Sequence, residues 1–343
     1  MEKTLFIGID FSKSTFDVSV IHRKNLESAD YQEFENSKEG YISLLEWLKT
    51  LNKESFETWL FCGEHTGLYS IGLSEFLVKR GFFIWLENPL QIKQSTGIKR
   101  DKNDLIDSHD IALYAYRFQD KSQAYSLPQK ALKSLEMLLS FRARLLSNKH
   151  TLLVSSSEIR RVMQRDATAR YIYEQSKKDI ERINKEIKEV EKRMLEQVES
   201  DDKLRENYEL VSSIKGVALI NTTAILVATQ NFTRFESSRQ FACYAGMAPF
   251  GKQSGTSIHT KPHVSQLADK NIKVLLTQAA KCAIRYDPNI RRYYERKLAE
   301  GKNKWLITNN IKNKLIHRIF AVVRNKQFYQ VDYINISNQV VTA

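Results

Sequence analysis

The order of strand and helix signals in the first third of the chain constrains the fold more than any other feature of this sequence. Three strand-like segments follow one another directly, and two more strands then alternate with helices. The predicted strands are Thr4–Phe11, Thr15–His22, Tyr31–Phe34, Phe56–Cys62 and Phe82–Leu86. The predicted helices are Tyr41–Leu51, Thr66–Arg80 and Asn103–Tyr116. The first strand, TLFIGIDF, is almost entirely apolar, which is typical of a strand buried on both faces at the centre of a sheet.

The succession β-β-β-α-β-α-β-α predicts an α/β domain of the ribonuclease H-like (RuvC-like) type rather than a plain Rossmann alternation. In such a sheet the first and fourth strands are neighbours, and the last helix packs across them. After Pro128 no glycine or proline occurs before Gly216, which predicts a long α-helical connector followed by a mainly α C-terminal domain. The predicted division is an α/β domain over residues 1–120, a helical coiled-coil connector over 128–203, a C-terminal domain over 204–326 and a tail over 327–343.

Apolar residues in the connector recur at alternating steps of three and four positions, flanked by Glu and Lys. They are Ile180, Ile183, Ile187, Val190, Met194 and then Gln197 or Val198. This spacing predicts a coiled-coil seam. A helical hairpin within one chain would cover the seam, and so would a coiled coil between chains, which would make the protein a homo-oligomer, either a dimer or a tetramer. The spacing alone does not decide between the two arrangements.

The positive charge of the chain is concentrated towards its C-terminal end. Between Lys261 and Lys326 there are 16 Lys and Arg residues and four acidic residues, so this segment contributes +12 of the net charge of +13. A local excess of this size favours a nucleic-acid-binding face over an ordinary solvated basic surface. The predicted contacts are Lys252, Lys261, Lys273, Arg285, Arg291, Arg292, Lys302 and Lys304. The neighbouring aromatic residues, which would either stack on unpaired bases or belong to the core, are Tyr286, Tyr293, Tyr294 and Trp305.

Several features of the sequence bear on its compartment. No apolar run is long enough to cross a membrane, and the first residues lack the pattern of a secretory signal peptide. The three cysteines, Cys62, Cys243 and Cys282, match neither a disulfide framework nor a zinc-binding pattern. We therefore expect a cytoplasmic protein that makes no membrane contact.

Four carboxylates form the strongest chemical signal. Asp10 ends the first strand, and Glu64 follows the fourth. Asp104 and Asp107 are three residues apart on a helix and therefore share one face. If the first and fourth strands are neighbours under that helix, all four groups converge. Converging carboxylates repel one another unless a divalent metal neutralises them, and hard oxygen ligands select Mg²⁺ or Mn²⁺.

Each of these acids also has an ordinary interpretation. A single Asp after a strand is common, and acids in the first turn of a helix often interact only with the helix dipole and solvent. Asp101 and Asp110 offer the same three-residue spacing as Asp104 and Asp107. Spacing therefore does not choose among them.

The segments that carry these acids resemble the N-terminal domain of the DEDD-type transposases, which include the insertion-sequence recombinases of the IS110 family and the pilin-gene invertases. The segments are IGIDFSKSTFDVSV, GEHTGLYSIGLSEFLVKRGFFIWLENPLQIK and KRDKNDLIDSHDIALYA. The resemblance implies that the four catalytic, metal-binding acids are Asp10, Glu64, Asp104 and Asp107. It selects Asp104 over Asp101, and it departs from the family pattern at the preceding residue, where asparagine replaces the usual threonine.

Two later segments, FESSRQFACYAGMAPFGKQSGTS and ADKNIKVLLTQAA, resemble the C-terminal domain of the same family. The resemblance implies that Ser254, in a Ser-Gly pair after a short proline-containing loop, is the nucleophile. The loop suits a phosphate, because Gly251 and Gly255 allow close approach of the backbone, while Lys252 and Lys261 supply positive charge. Without the resemblance, a Ser-Gly pair would indicate only an ordinary turn.

The segment LVSSIKGVALINTTAILVAT resembles a helix-hairpin-helix, in which a glycine-containing turn directs backbone N–H groups towards a DNA phosphate. Lys215 and Ala218 stand where that motif usually has proline and a second glycine. An ordinary helix-packing turn at Gly216 is the alternative.

The resemblance covers nearly the whole chain and implies a DNA recombinase that cuts and rejoins strands of an insertion sequence. It further implies a site composed from two protomers, a structured bridge RNA as partner, and a bacterial, nucleoid-associated location. A RuvC-like Holliday-junction endonuclease is the main alternative, because it would use the same carboxylates to activate water and would need no serine. A non-enzymatic nucleic-acid-binding protein would leave the carboxylates without a role. A sugar kinase would need glycine soon after Asp10, where the sequence continues FSK.

Overall fold

The chain forms two units, which divide between Leu127 and Pro128. This computed structural model describes residues 2–52, 55–65, 67–96, 104–127, 129–247, 250–254, 258–263 and 268–331. Within these ranges, no helix is both long enough and apolar enough to span a membrane.

The first unit is built on a five-stranded mixed sheet. Its strands are β1 (Leu5–Phe11), β2 (Thr15–His22), β3 (Asn25–Glu35), β4 (Trp59–Glu64) and β5 (Ile84–Glu87). They lie in the order β3-β2-β1-β4-β5. β2 is antiparallel to both β1 and β3, whereas β4 is parallel to both β1 and β5. Every residue of β1 except Asp10 is buried, as its apolar sequence predicts for a central strand.

The helices described in this unit are α1 (Lys38–Leu51), α2 (Leu68–Lys79), α3 (Pro89–Thr96) and α4 (Asp104–Arg117). The sequence predicts all of them except α3, which has only about two turns and too few apolar residues to show a helical period. The predicted start of the fourth strand at Phe56 is wrong. Residues 56–58 form a 3₁₀ turn that begins at a capping serine, Ser55, and the strand starts at Trp59.

The two faces of the sheet bury separate clusters, because side chains alternate along each strand. The cluster on the side of α1 and α2 contains Leu5, Ile7, Ile9, Phe11, Leu44, Leu48, Leu73 and Leu77. The cluster on the side of α3 and α4 contains Phe6, Leu60, Cys62, Trp85, Ile92, Ile111, Tyr114 and Ala115. By the same alternation, Gly8 and Asp10 share with Phe6 the face that α4 covers.

The second unit is mainly helical, as predicted. Its helices are α5 (Lys130–Val162), α6 (Ala167–Glu199), α7 (Asp202–Ser212), α8 (Leu219–Ala228), α9 (Ser238–Tyr244), α10 (Lys270–Tyr286), α11 (Pro288–Ala299) and α12 (Lys304–Asn325). An antiparallel hairpin of β6 (Phe250–Ser254) and β7 (Ile258–His263) lies between α9 and α10. The sequence predicts only a loop there, because glycine and lysine in β6, and lysine and proline in β7, conceal the strand pattern.

Helices α5 and α6 pack as an antiparallel hairpin within the chain. Arg142 of α5 forms a salt bridge of 2.8 Å with Glu191, and Lys149 donates a hydrogen bond of 2.7 Å to Asn184. The two helices also share a buried apolar cluster. It includes Leu132, Leu135 and Leu145 of α5 and Ile183, Ile187, Val190, Met194 and Val198 of α6. Most of the predicted seam is therefore covered inside one chain, as in the first of the two predicted arrangements.

The turn between α7 and α8 packs directly on α10. Gly216 has φ +95°, and a Cβ atom there would lie 2.7 Å from the carbonyl oxygen of Ala279 and from the backbone nitrogen of Ala283. Glycine is therefore required both for the backbone conformation and for the close approach. A packing turn accounts for this glycine without a bound phosphate.

Candidate active site

The backbone of α4 touches the backbone of β1 at Gly8. A Cβ atom on Gly8 would lie 2.2 Å from the carbonyl oxygen of Ser108 and 2.3 Å from the backbone nitrogen of Ala112. Beside this contact, the hydroxyl of Ser108 on α4 forms a buried hydrogen bond of 2.8 Å with the hydroxyl of Ser19 on the neighbouring strand β2. Glycine in the central strand thus lets the helix lie unusually close to the sheet.

The direction of α4 brings its first turn to the end of β1. The ring of Tyr116, near the end of the helix, meets that of Phe6, near the start of the strand, with 5.2 Å between centroids. Since the helix crosses the strand at Gly8, its opposite end lies towards Asp10. Asp107 lies in this first turn, and Asp104 is the first residue of the helix.

Asp10 and Glu64 occupy the same edge of the sheet. In the parallel pair of β1 and β4, Ile9 lies opposite Gly63, so Asp10 and Glu64 are the next residues of two adjacent strands. Both lie on the α4 face by alternation, and Asp10, Glu64 and Asp107 are all half-buried. The backbone thus brings these three predicted residues to one edge, together with the first residue of α4. The side chain of Asp104 lies outside the described part of the structure.

Two further carboxylates, which were not predicted from the sequence, flank this edge. Asp17 lies opposite Asp10 across β1 and β2, is 6% exposed, and accepts a hydrogen bond of 2.5 Å from the Tyr31 hydroxyl. Glu87 lies opposite Glu64 across β4 and β5. The signal available in the sequence was position, because Glu87 directly follows the predicted fifth strand as Glu64 follows the fourth.

The carboxylates create a negative potential on the α4 face. Burial raises the pKa of the Cys62 thiol, and the charges of Glu87 and Glu64 raise it further. Burial likewise raises the pKa of the Tyr114 hydroxyl, with the charge and hydrogen bond of Glu87 adding to the effect. A neutral thiol beside several carboxylate oxygens is a donor set that fits a hard divalent cation better than a soft one. Among the described side chains, no three acids, histidines or cysteines are grouped closely enough to hold a metal by themselves.

The predicted nucleophile lies in the second unit. Ser254 is the last residue of β6 and pairs with Ile258, so it stands where the hairpin turns. Lys252 lies opposite Thr260, and Lys261 is the next residue of β7. The side chains of Ser254, Lys252 and Lys261 lie outside the described part of the structure, as do residues 255–257.

The other predicted nucleic-acid contacts lie on or beside α10, α11 and α12. All are exposed except Lys273, which is half-buried, and none forms a salt bridge within the described ranges; they are Lys273, Arg285, Arg291, Arg292, Lys302 and Lys304. Arg291 also donates to the backbone carbonyl oxygens of Ile284 and Arg285, so it caps the end of α10. The surface therefore presents cations without acidic partners, as a phosphate-binding face requires.

The four aromatic residues of this region divide into two groups. Tyr286 and Trp305 are exposed, by 61% and 77% respectively. Tyr293 and Tyr294 pack against the core. Only the first two are therefore available for stacking on a base.

Buried positive charge adds to the potential of this region. Lys312 of α12 is 7% exposed, and its Nζ donates a hydrogen bond of 3.3 Å to Thr277. Burial lowers the pKa of Lys312, and the nearby charge of Lys273 lowers it further. Two neighbouring lysines, neither of which forms a salt bridge with a described acid, raise the positive potential that an approaching phosphate would meet.

Two transposase families match the chain in order. A DEDD transposase family of the IS110 type matches residues 7–159, and the transposase family described as IS116/IS110/IS902 matches residues 208–295. Together they cover more than two thirds of the chain, including most of β1 and all of β4, α4 and the β6–β7 hairpin.

The chain is also similar to individual proteins. Pilin gene-inverting proteins of Moraxella bovis and Moraxella lacunata are each 26% identical over 332 residues, which is 95% of this chain and 98% of theirs. An uncharacterized 43.6 kDa protein of insertion element IS110 from Streptomyces coelicolor is 31% identical over 121 residues, or 35% of this chain and 30% of its own. The chain belongs to the IS110 family of DEDD transposases and is a DNA-binding recombinase of a class that depends on divalent metal ions.

Proposed function

We propose that this protein cuts and rejoins the DNA strands of an insertion sequence, with Asp10, Glu64, Asp104 and Asp107 as the metal-binding acids and Ser254 as the nucleophile. The observation that carries the proposal is the carboxylate edge of the first unit. Asp10 and Glu64 end adjacent parallel strands, and α4 begins with its acidic turn at the same edge. The strand order β3-β2-β1-β4-β5 supports a ribonuclease H-like assignment for this unit.

The four acids hold Mg²⁺ or Mn²⁺ in this proposal. Bound there, such ions would polarise the scissile phosphate and stabilise the charge on the leaving oxygen. The chain supplies the positions of the ligands: β1 and β4 fix Asp10 and Glu64 side by side, and the close contact at Gly8 fixes the depth of α4. The negative potential that acts on Cys62 favours a cation at this edge.

Ser254 makes the covalent intermediate. Its Oγ attacks phosphorus, the hydroxyl proton passes to solvent, and the bond from phosphorus to the 3′-oxygen breaks, so that the 3′-oxygen leaves and is protonated. The phosphoserine diester conserves the bond energy, and a DNA 3′-hydroxyl can then displace the serine without ATP. The position of Ser254 at the turn of a hairpin, next to glycine, supports this role because a DNA strand can approach it closely.

The basic face of α10–α12 holds nucleic acid in this proposal. Its exposed cations without acidic partners support contact with DNA phosphates and with a structured bridge RNA that selects the target. Trp305 and Tyr286 are exposed among them and are suited to stacking on unpaired bases. The family resemblance further supports a homo-oligomer, dimer or tetramer, in which the carboxylates and the serine of one site come from different protomers, and a nucleoid-associated location.

The test uses labelled element-end DNA, the non-coding RNA adjacent to the gene, and Mg²⁺, with the products resolved under denaturing conditions. The wild-type protein should give a covalent protein–DNA adduct and recombined product. Ser254→Ala should give neither while still binding DNA, and the neighbouring Ser257→Ala should behave as wild type. Nicked DNA without an adduct, formed equally by Ser254→Ala, would instead support a junction nuclease that activates water.

The carboxylates are tested in the same assay. Asp10→Asn should abolish cleavage at any Mg²⁺ concentration without changing the circular dichroism spectrum. Asp30→Asn, an exposed acid on the edge strand β3, is the matched control and should cleave normally. Wild-type cleavage by Asp10→Asn would remove this residue from the site.

A further inference from the structure

We propose that Tyr114 and Glu87 are positioning residues: their hydrogen bond fixes the rotation of α4 about its axis, so that the acidic first turn faces the carboxylates of β1 and β4. This inference rests on the proposed metal site. It adds two residues that neither touch the reacting atoms nor belong to the four acids.

The hydrogen bond joins α4 to β5, which is an edge strand of the sheet. The Tyr114 hydroxyl donates to Oε2 of Glu87 at 3.2 Å. Tyr114 lies seven residues, or about two turns, after Asp107 and therefore on the same side of α4. A restraint on Tyr114 is consequently a restraint on the direction in which Asp107 points.

A second hydrogen bond holds the opposite flank of α4. The Ser108 hydroxyl bonds to Ser19 on β2 at 2.8 Å, whereas Tyr114 bonds to Glu87 on β5. These strands lie on either side of the central pair β1 and β4. Between these two hydrogen bonds, the backbone of α4 contacts Gly8 of β1. The three contacts together restrain the helix against rotation about its axis and against movement away from the sheet.

Both partners of the Tyr114–Glu87 bond are themselves fixed. The backbone N–H of Asn88 donates to Oε1 of Glu87 at 2.6 Å, and the backbone N–H of His65 donates to the Glu87 carbonyl oxygen at 2.8 Å. The Tyr114 ring packs on Trp85 and Phe118, with centroids at 5.2 Å and 4.9 Å. The restraint therefore runs from α4 through Glu87 to the residue that follows Glu64.

Two other roles for Glu87 make different predictions. A direct metal ligand would need the negative charge of Glu87 but not the Tyr114 hydroxyl. A hydrogen bond that only stabilises the fold would change the melting temperature and leave the metal affinity unchanged. The positioning role requires both the Tyr114 hydroxyl and an acceptor oxygen at residue 87.

The decisive measurement is Mn²⁺ binding to the full-length protein by isothermal titration calorimetry, without DNA. Tyr114→Phe removes only the hydroxyl and should weaken Mn²⁺ binding about tenfold, as loss of a residue that orients a ligand typically does. Tyr116→Phe is the matched control on the same helix, because its hydroxyl makes no hydrogen bond within the described ranges, and it should bind as wild type. Glu87→Gln keeps an acceptor and should bind Mn²⁺ better than Glu87→Ala.

Each outcome decides the inference. If Tyr114→Phe binds Mn²⁺ as tightly as wild type, the hydrogen bond does not position the site, whatever its effect on melting temperature. If Glu87→Gln loses as much affinity as Glu87→Ala while Tyr114→Phe loses none, Glu87 is a ligand instead. Asp10→Asn separates this from the proposed function: equal Mn²⁺ binding by Asp10→Asn and wild type would overturn the metal site itself, irrespective of Tyr114.

Discussion

The Cβ position of Gly8 lies 2.2 Å from the carbonyl oxygen of Ser108, so β1 and α4 meet backbone to backbone. Gly8→Ala should push α4 away from the sheet, with a loss of about 1–3 kcal/mol in unfolding free energy from overpacking. Because α4 carries Asp104 and Asp107, Mn²⁺ binding and cleavage should be lost as well. Gly81→Ala is the control, since its cost comes from a positive φ with no atom near the added Cβ, and it should destabilise without changing Mn²⁺ affinity. Normal metal binding by folded Gly8→Ala would contradict this account.

Asp287 organises the C-terminal helices and should be among the most sensitive positions for stability. It is fully buried, caps α11 through the N–H groups of Asn289 and Ile290, and accepts hydrogen bonds from Arg318 at 2.8 Å and Tyr329 at 2.7 Å. Asp287→Ala leaves Arg318 without its acid and should cost about 3–5 kcal/mol in chemical denaturation. Asp269→Ala, which removes the half-buried cap of α10 and the acceptor of the Tyr244 hydroxyl but no ion pair, should cost less, about 1–2 kcal/mol. Equal losses in the two variants would show that the buried ion pair adds nothing.

The seam of α6 should act as core rather than as an interface between chains. Ile183→Asp and Ile187→Asp each place an uncompensated charge in the cluster shared with α5, which should cost about 3–5 kcal/mol. Thermal melting followed by circular dichroism should show that both variants unfold at a lower temperature than the wild-type protein. Lys185→Asp, at an exposed position between them, should melt near the wild-type temperature. Folded variants that merely become monomeric in size-exclusion chromatography would show that the seam joins two chains.

Most of the fold could be predicted from local patterns. The five strands and nearly all helices follow from apolar periodicity, since each buries one continuous face. The β6–β7 hairpin could not be predicted, because its residues, such as Lys252 and Lys261, show no apolar alternation. The sequence also could not decide between a helical hairpin within one chain and a coiled coil between chains. Periodicity indicates that a helix face is covered but not which chain covers it.

The candidate site could be predicted only in part, for a related reason. The strand order places Asp10 beside Glu64, so their proximity follows from the sequence once the topology is assumed. The position of Glu87 after the fifth strand is visible in the sequence, but its pairing with Glu64 depends on the register of β4 against β5, and its bond to Tyr114 depends on the rotation of α4. Register and helix rotation are set by packing between distant segments, which no local spacing encodes.

Nucleic-acid binding should depend strongly on salt. If the basic face contacts about six phosphates, affinity should fall by roughly 10³ between 50 and 200 mM salt. In fluorescence anisotropy, Arg285→Gln and Lys304→Gln should each lower the slope of log Kd against log salt by about one. Lys192→Gln, which removes an exposed lysine paired with Glu196 on α6, should leave the slope unchanged. A flat salt response of the wild-type protein would show that this face does not meet phosphate.

Lys312 should lower the stability of the folded protein and strengthen its binding to nucleic acid. Its pKa is lowered by burial and then by Lys273, so between the folded and unfolded pKa values the unfolded chain holds more protons at this residue. This lysine therefore weakens folding at neutral pH, and its penalty fades as pH rises through that window towards about 10.4. Lys312→Met should raise the melting temperature at pH 7, with a smaller gain at pH 10, and weaken DNA binding.

The exposed Lys314, two residues further along α12, provides the control for this last prediction. Lys314→Met removes the same charge from a solvated position, so it should change the melting temperature only slightly, through the lost contact of Lys314 with the Tyr293 ring at 4.7 Å. Phosphate should relieve the repulsion between Lys312 and Lys273 when nucleic acid binds. DNA should consequently stabilise the wild-type protein more than it stabilises Lys312→Met, measured as the shift in melting temperature at one DNA concentration. Equal shifts in the two proteins would mean that Lys312 takes no part in the nucleic-acid face.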